Sequence, residues 1–444
     1  MADLSTEPTL RVGLALRRSE ATITLNGAFR LNGSPVPPQR LTAEAAPGRV
    51  VLRDATGNTL ADAAAIELEP DAEASFVLHA MTVGVDFHWQ HEQDLTFAGS
   101  VALESRGAAF DVVNGVPLEA YLESVISSEM SADNPPPLLQ AHAVISRSWL
   151  LAQLDSAKQP GAPPPGASSI PGGTRIVRWY DREDHQHFDV CADDHCQRYQ
   201  GLTRTSTAQA VDAVASTRGL VLTHDGKVAD ARFSKACGGM TEVFEAAWGD
   251  TPVPYLQAFP DAPGAAWDLP LTHEANAVAF LEGSPPAYCN TTDRALLDKV
   301  LPALDHATTQ FYRWEATVTA AQVRDWVKAK LEIDVGPVTA LEPLERGPSG
   351  RLVRLAIVGE QQRLEVGKEL EIRRVLSDSH LYSSAFVVRA EDGPDGRVFH
   401  LRGAGWGHGV GLCQIGAAVM ADQGHGHEAI LAHYFRGATL ERIY

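Results

Sequence analysis

The 444-residue chain lacks any apolar run of about 18 or more residues, so no membrane-crossing helix is expected. Its opening stretch, MADLSTEPTLRVGLALRRSE, lacks a basic start followed by an apolar segment and a small-residue cleavage site, so no signal peptide is visible in this chain. Basic residues are in short supply: 37 Lys and Arg stand against 56 Asp and Glu, a formal net charge of −19. Nucleic-acid-binding proteins present a basic footprint, so this balance argues against DNA or RNA as a main partner. A neutral, polyhydroxylated substrate fits it better. Cysteine is scarce as well, with Cys191, Cys196, Cys237, Cys289 and Cys413 making up the whole set. That is too few for a disulfide scaffold, and the odd number leaves at least one thiol unpaired or bound to a metal. There is no internal repeat.

What the chain does have is a large apolar fraction, 44%, enough for a sizeable core. Residues 10–115 alternate strand-like runs with turn signals such as Asn26-Gly27 and Gly57-Asn58, which reads as an antiparallel β region. Helical periodicity follows at 117–130 and 136–154, and then a Pro/Gly/Ser-rich stretch, 155–174, that has no means of packing a core. A short helix is expected at 207–216 and a hairpin turning at Asp225-Gly226. Helices are expected within 275–305 and at 320–331, and strands leading into a helix over 350–376. Antiparallel strands with separate helices define an α+β fold rather than a doubly wound sheet.

The segment LEAYLESVISSEM places Leu118, Leu122, Val125 and Ile126 on one helical face, at about 100° per residue. Glu129 falls in the middle of that face. A carboxylate there is costly unless paired or lining a cleft. Partial burial would raise its pKa and keep it protonated near neutral pH, the property a general acid needs. The alternative is that the helix stops and Glu129 reaches solvent or makes a structural hydrogen bond. The next helix is apolar nearly all round, hence buried, yet carries Arg147. A buried guanidinium needs an anionic partner, either Glu129 or a loop carboxylate.

His185, His187, Cys191, His195 and Cys196 lie within twelve residues in DHQHFDVCADDHCQRY. Zinc favours such donors in tetrahedral sets, and a closed four-ligand site is structural. A local Cys191–Cys196 disulfide is the other reading. Two glycine-rich stretches follow, FSKACGGMTE and GAGWGHGVGLCQIGA, the second with glycine at every other position from Gly403 to Gly411. Such spacing permits unusual backbone angles or close approach, and no GK[ST] follows to make it a phosphate loop. His408 and Gln414 are the polar side chains in reach. Cys237 with His408 as base would make a cysteine hydrolase, although nothing identifies a group to orient that base.

Five stretches, VVNGVPLEAYLESVISSEM, LLQAHAVISRSWLL, DVCADDHCQRYQG, ARFSKACGGMTE and GAGWGHGVGLCQIGAAVMADQGHGHEAILAHYFRGATL, resemble in order the blocks of the SpoIID/LytB family, the stage II sporulation protein D relatives. The resemblance spans roughly 105–440 and organises the chain as a β-rich lead-in (1–104), a core (105–250), an inserted mixed segment (251–350) and a C-terminal core part (351–444). It implies a peptidoglycan lytic transglycosylase that cleaves MurNAc–GlcNAc β-1,4 bonds and leaves 1,6-anhydro-MurNAc ends. It makes Glu129 the catalytic acid/base, and the Cys/His cluster a structural zinc site. Arg147, Cys237, Gly238, Gly239, Thr241, His408 and Gln414 are the expected substrate-lining residues. It also implies action in the periplasm, outside the cell or in the wall. The LytB branch offers a non-catalytic alternative, a glycan-binding protein or enhancer partnered with a cell-wall amidase. Two departures stand out: Met240 replaces the histidine of the family's GGHTE block, and the 251–350 region exceeds shorter members. If the protein is exported, Cys237 and Cys289 are a candidate disulfide pair.

Overall fold

A computed structural model describes residues 6–444 except 72, 85–89, 157–168, 173, 180–184, 194–195, 205–206, 265–266, 303–305, 307 and 395. Most of the Pro-rich stretch and His195 therefore lie outside the described residues. The chain forms two compact units, one of Met1–Leu150, Asp184–Val221 and Arg442–Tyr444, the other of Leu151–Glu183 and Leu222–Glu441. These units cut across the four consecutive segments expected from the sequence. Each is interleaved along the chain, a result of contacts between distant stretches that sequence order does not reveal. The α+β class is as expected, with helices beside predominantly antiparallel sheets.

In the first unit the N-terminal strands form a seven-stranded sheet, in the order 190–191, 9–18, 110–117, 100–105, 65–70, 29–31, 34–36, and a six-stranded sheet, 91–98, 75–83, 20–26, 40–46, 49–53, 59–63. Alternation drives the pairing: Val50 and Leu52, or Phe76 and Leu78, point inward while their neighbours face out. The edge strand carrying Cys191 runs parallel to the first strand, with Val190 beside Val12 and Cys191 beside Gly13. Helix α1 is Leu118–Glu129, α2 is Pro136–Ser156 and α3 is Ala208–Ser216, all close to the bounds read from periodicity. The stripe Leu118, Leu122, Val125 and Ile126 is fully buried. Burying such a stripe against the sheet is worth about 1.5–3 kcal/mol per large aliphatic side chain. Helix α1 ends where Met130 turns extended (φ −131°, ψ 170°), which makes Glu129 its last residue.

The second unit contains α4 (Phe244–Ala247), α5 (Glu274–Glu282), α6 (Arg294–Val300), α7 (Ala320–Leu331), α8 (Glu369–Val375), α9 (Gln414–Asp422) and α10 (His427–Tyr434). Its main sheet runs in the order 169–172, 175–178, 363–367, 352–359, 338–346, and α7 and α8 share an apolar core with it through Val323, Val327, Ile372 and Val375. Thr319 and Gln322 close a reciprocal capping box on α7. A short parallel pair, Phe233–Ser234 with Leu412–Cys413, brings the two glycine-rich stretches together.

Candidate functional site

Glu129 is half-buried, at the end of a stripe whose other members are fully buried. Its carboxylate accepts the backbone N–H of Arg198 at 2.9 Å. The Arg198 side chain also donates to the Ser128 carbonyl at 3.3 Å, beside the helix end. The neighbouring residues bind the same helix: Gln200 N–H donates to Ser124 Oγ (3.1 Å), Tyr199 stacks on Tyr121 (4.9 Å between centroids) and Tyr121 OH donates to Gln197 (3.5 Å). Residues 197–200 are thus a strap laid along α1. Tyr199 is anchored in turn through its hydroxyl, which donates to Asn114 at 2.8 Å. Burial above all pushes the Tyr121 phenol up, with Cys196, Cys191 and Glu129 adding to the effect. The loop after α1 is tied down as well. Asn134 is fully buried and donates to the Ser131 carbonyl at 2.6 Å, and Thr207 donates to the Ala132 carbonyl at 3.1 Å.

The strap begins at the Cys/His cluster. His185 Nε2 lies 3.3 Å from Cys196 Sγ, and Cys191 N–H donates to that sulfur at 3.4 Å. The donor atoms of His185, Cys191 and Cys196 all lie within 4.8 Å of one another. Phe188 stacks on the His185 ring at 4.6 Å and packs with Ala102, Val113 and Cys191. Gly13 makes room for the Phe188 ring, because a Cβ there would sit 2.8 Å from it. Cys191 and Cys196 are not joined in a disulfide, and the exposed His187 is not part of the set.

Arg147 is fully buried and its partner is Glu119, through bonds of 2.9 and 2.6 Å. Neither Glu129 nor a loop carboxylate fills that place. The first turn of α1 supplies the anion, and Tyr444 OH (2.5 Å) and Gly219 N–H (3.3 Å) donate to it as well. Arg147 also donates to the Leu220 carbonyl at 2.9 Å. This is a buried ion pair locking helix to helix. Glu119 lies off the apolar stripe, which is why periodicity did not single it out.

The remaining sequence candidates belong to the other unit. Gly405, Gly407, Gly409 and Gly411 all have φ between 72° and 89°, and the first three wrap the fully buried Arg351. Its guanidinium donates to the carbonyls of Gly407 (3.2 Å) and Cys237 (3.1 Å) and to Ser349 Oγ (3.0 Å). Ser349 in turn donates to the buried Glu242 at 2.6 Å, whose carboxyl burial pushes up. Thr241 is engaged by the Gln257 carbonyl and the Phe259 N–H, while the Gly238 carbonyl accepts from Arg313 and the Gly239 carbonyl from Asp261 N–H. Gln414 is buried as the first residue of α9. His408 meets Trp248 edge-on at 4.7 Å, and its Nδ1 accepts the Val410 N–H at 3.0 Å. Burial, then the Arg232 and Arg351 charges, push this imidazole well down, so it is neutral. The Cys237 thiol faces Cys289 and Asp261 at 3.6 and 3.2 Å, and no contact between it and His408 is found among the described residues. Met240 fills an apolar cluster with Leu271, Phe280 and Val387.

Residues 106–224 match the family model described as stage II sporulation protein. The match contains Glu129, Arg147 and the 185–196 cluster. Among individual proteins, the chain is 27% identical over 328 residues to stage II sporulation protein D of Bacillus amyloliquefaciens, covering 74% of this chain and 75% of that one. Against stage II sporulation protein D of Bacillus subtilis (strain 168) it is 26% identical over 347 residues, 77% of this chain and 80% of the relative. An amidase enhancer of the same organism is 25% identical over 271 residues, 55% of this chain and 34% of the relative. Residues 242–411 match a separate model, a domain of unknown function, DUF8618. Among the described residues, no helix is long and apolar enough to cross a membrane.

Proposed function

We propose that the protein is a lytic transglycosylase of peptidoglycan glycan strands, acting at the cell wall, with Glu129 as its acid/base. The observation that carries this reading is the position of Glu129: a half-buried carboxylate that ends an otherwise buried helical stripe and is oriented by the Arg198 amide. Protonated, Glu129 donates to the glycosidic oxygen as the bond from C1 of MurNAc to that oxygen breaks. The resulting carboxylate takes the proton of the sugar's 6-hydroxyl, and O6 bonds to C1 to close the anhydro ring. Atoms balance without water, so one carboxylate suffices where ordinary glycoside hydrolysis uses two.

Arg147 is assigned a positioning role, since its donors are spent on Glu119 and backbone carbonyls. His185, Cys191 and Cys196 fit a zinc ion in donor type and mutual distance, with His195, next in sequence to Cys196, as the candidate fourth donor. Such an ion supplies structural cross-linking. The residues it would hold begin the strap that delivers the Arg198 amide to Glu129. Of the other expected lining residues, His408 is partly exposed and is kept as a candidate glycan contact of its own unit, whereas Gln414 and the Cys237–Thr241 stretch are buried.

The test is incubation of the purified protein and a Glu129→Gln variant with intact and stem-stripped strands, followed by mass spectrometry for anhydro-MurNAc ends. Ends made by the wild type and not by the variant support the reading. The likeness to an amidase enhancer favours a second one, glycan binding that stimulates a wall amidase without cleavage. No anhydro ends, with amidase stimulation that survives Glu129→Gln, would establish it instead.

A further inference from the structure

We propose that the second unit contains a metal site of its own, in which Cys237, Cys289, Cys413 and Asp261 hold a thiophilic divalent cation of the zinc type. The four donors come from four separated stretches, and their ligand atoms all lie within 4.8 Å of one another. Cys237, Cys289 and Cys413 are at most 2% exposed and Asp261 is fully buried.

The distances suit a tetrahedron. Zinc–sulfur bonds of about 2.3 Å at tetrahedral corners set neighbouring sulfurs about 3.8 Å apart. Cys237 and Cys289 are 3.6 Å apart, and Cys237 Sγ is 3.2 Å from Asp261 Oδ2. A disulfide would need about 2.05 Å between sulfurs, and all three thiols are free.

The surroundings are those of ligated donors. Backbone N–H groups point at the sulfurs: Cys237 N–H at Cys413 Sγ (3.2 Å), Gly239 N–H at Cys237 Sγ (3.4 Å) and Gly416 N–H at Cys413 Sγ (3.4 Å). Such bonds stabilise thiolates, the form in which cysteine binds metals. The outer oxygen of Asp261 is held by His433 Nε2 at 2.9 Å and its inner oxygen by Tyr434 OH at 3.3 Å, a second layer of the kind that orients metal-bound carboxylates. Gly416 keeps the space open, since a Cβ there would stand 2.7 Å from Asp261 Oδ2 and 3.2 Å from Cys413 Sγ. The set is closed, with four protein donors and no exposed edge, so its role is to cross-link the fold.

The test uses full-length protein purified under reducing conditions without chelator, in a Cys191→Ser/Cys196→Ser background that removes the other cluster. Elemental analysis is expected to find about one equivalent of zinc, which a further Cys289→Ser change abolishes. Because that change can unfold the unit, a second variant, Asp261→Cys, is loaded with cobalt. It is expected to keep a tetrahedral spectrum and to gain thiolate-to-cobalt absorbance over its parent. If the background variant does not fold, the same cobalt comparison is made between wild type and Asp261→Cys. A protein that takes up no zinc at this cluster, a native Cys237–Cys289 disulfide found by peptide mapping, or charge-transfer absorbance unchanged by Asp261→Cys would each overturn the proposal.

Discussion

The two cysteine clusters use the same donor chemistry and are built in opposite ways. His185, Cys191 and Cys196 are neighbours in sequence, partly open to solvent, and begin a strap that lies on α1. Cys237, Asp261, Cys289 and Cys413 are spread along the chain, the first and last 176 positions apart, and are buried. The contrast teaches that a short-range cluster can serve one local element, here the helix end with its carboxylate. A long-range cluster can only serve the fold as a whole, because every ligand brings a different stretch of chain.

The largest effect tests what the local cluster supports. Glu129→Gln is expected to lower the yield of anhydro ends by about 10²–10⁴-fold, the usual worth of a general acid, while thermal melting is unchanged. A variant that keeps its activity would detach the carboxylate from the chemistry. Next comes Arg147→Met, which leaves Glu119 buried without its partner. A loss of about 3–5 kcal/mol is expected in denaturant unfolding. Because the pair sits in the same helices as Glu129, a small loss here would mean that the helix is held by the strap instead.

Cys191→Ser/Cys196→Ser sharpens the comparison further. It is expected to reduce cleavage by about 10–100-fold, as loss of outer support typically does, with unfolding of the second unit unaffected. Equal damage to both units would erase the distinction between a local and a global cluster. The smallest effect is a control in the second unit. Burial, with Arg373, Arg374 and Lys330, holds His380 down to about 4 against an ordinary 6.5. The folded state therefore resists protonation that the unfolded chain accepts. Stability from this group is present above about 6.5 and is lost as pH falls toward 4. A His380→Asn variant should show a flatter pH–stability profile over that window.

The same contrast explains what the sequence made legible. The bounds of α1 and α2 follow from a 3.6-residue period, and the turn at Asp225-Gly226 from a dipeptide suited to positive φ, which both residues adopt at 49° and 71°. The placement of Glu129 on the apolar face needed only the helical wheel. The Arg147–Glu119 pair was hidden, because the choice of partner depends on how two helices pack, and periodicity carries no such information. Asp261 had no local signal at all. Cys237 and Cys289 could be paired on paper, yet Cys413 joins them only through the parallel pairing of two-residue strands far apart in the chain. Alternating glycines announced a backbone constraint. That the constraint encloses Arg351 became visible only once the chain was folded.

That short strand pair also bears on how such a protein is put together. The chain leaves Ser234 and comes back at Cys413, beside it in register, having run meanwhile through the whole stretch that matches DUF8618. Entry and exit thus share one doorway, the arrangement under which a module can be spliced into a host without stretching it. Cys237 stands just inside that doorway and Cys413 within it, while Asp261 and Cys289 arrive with the module. Host and guest are therefore riveted at the point of grafting, and a chimera that exchanges the guest would have to carry its two rivets along.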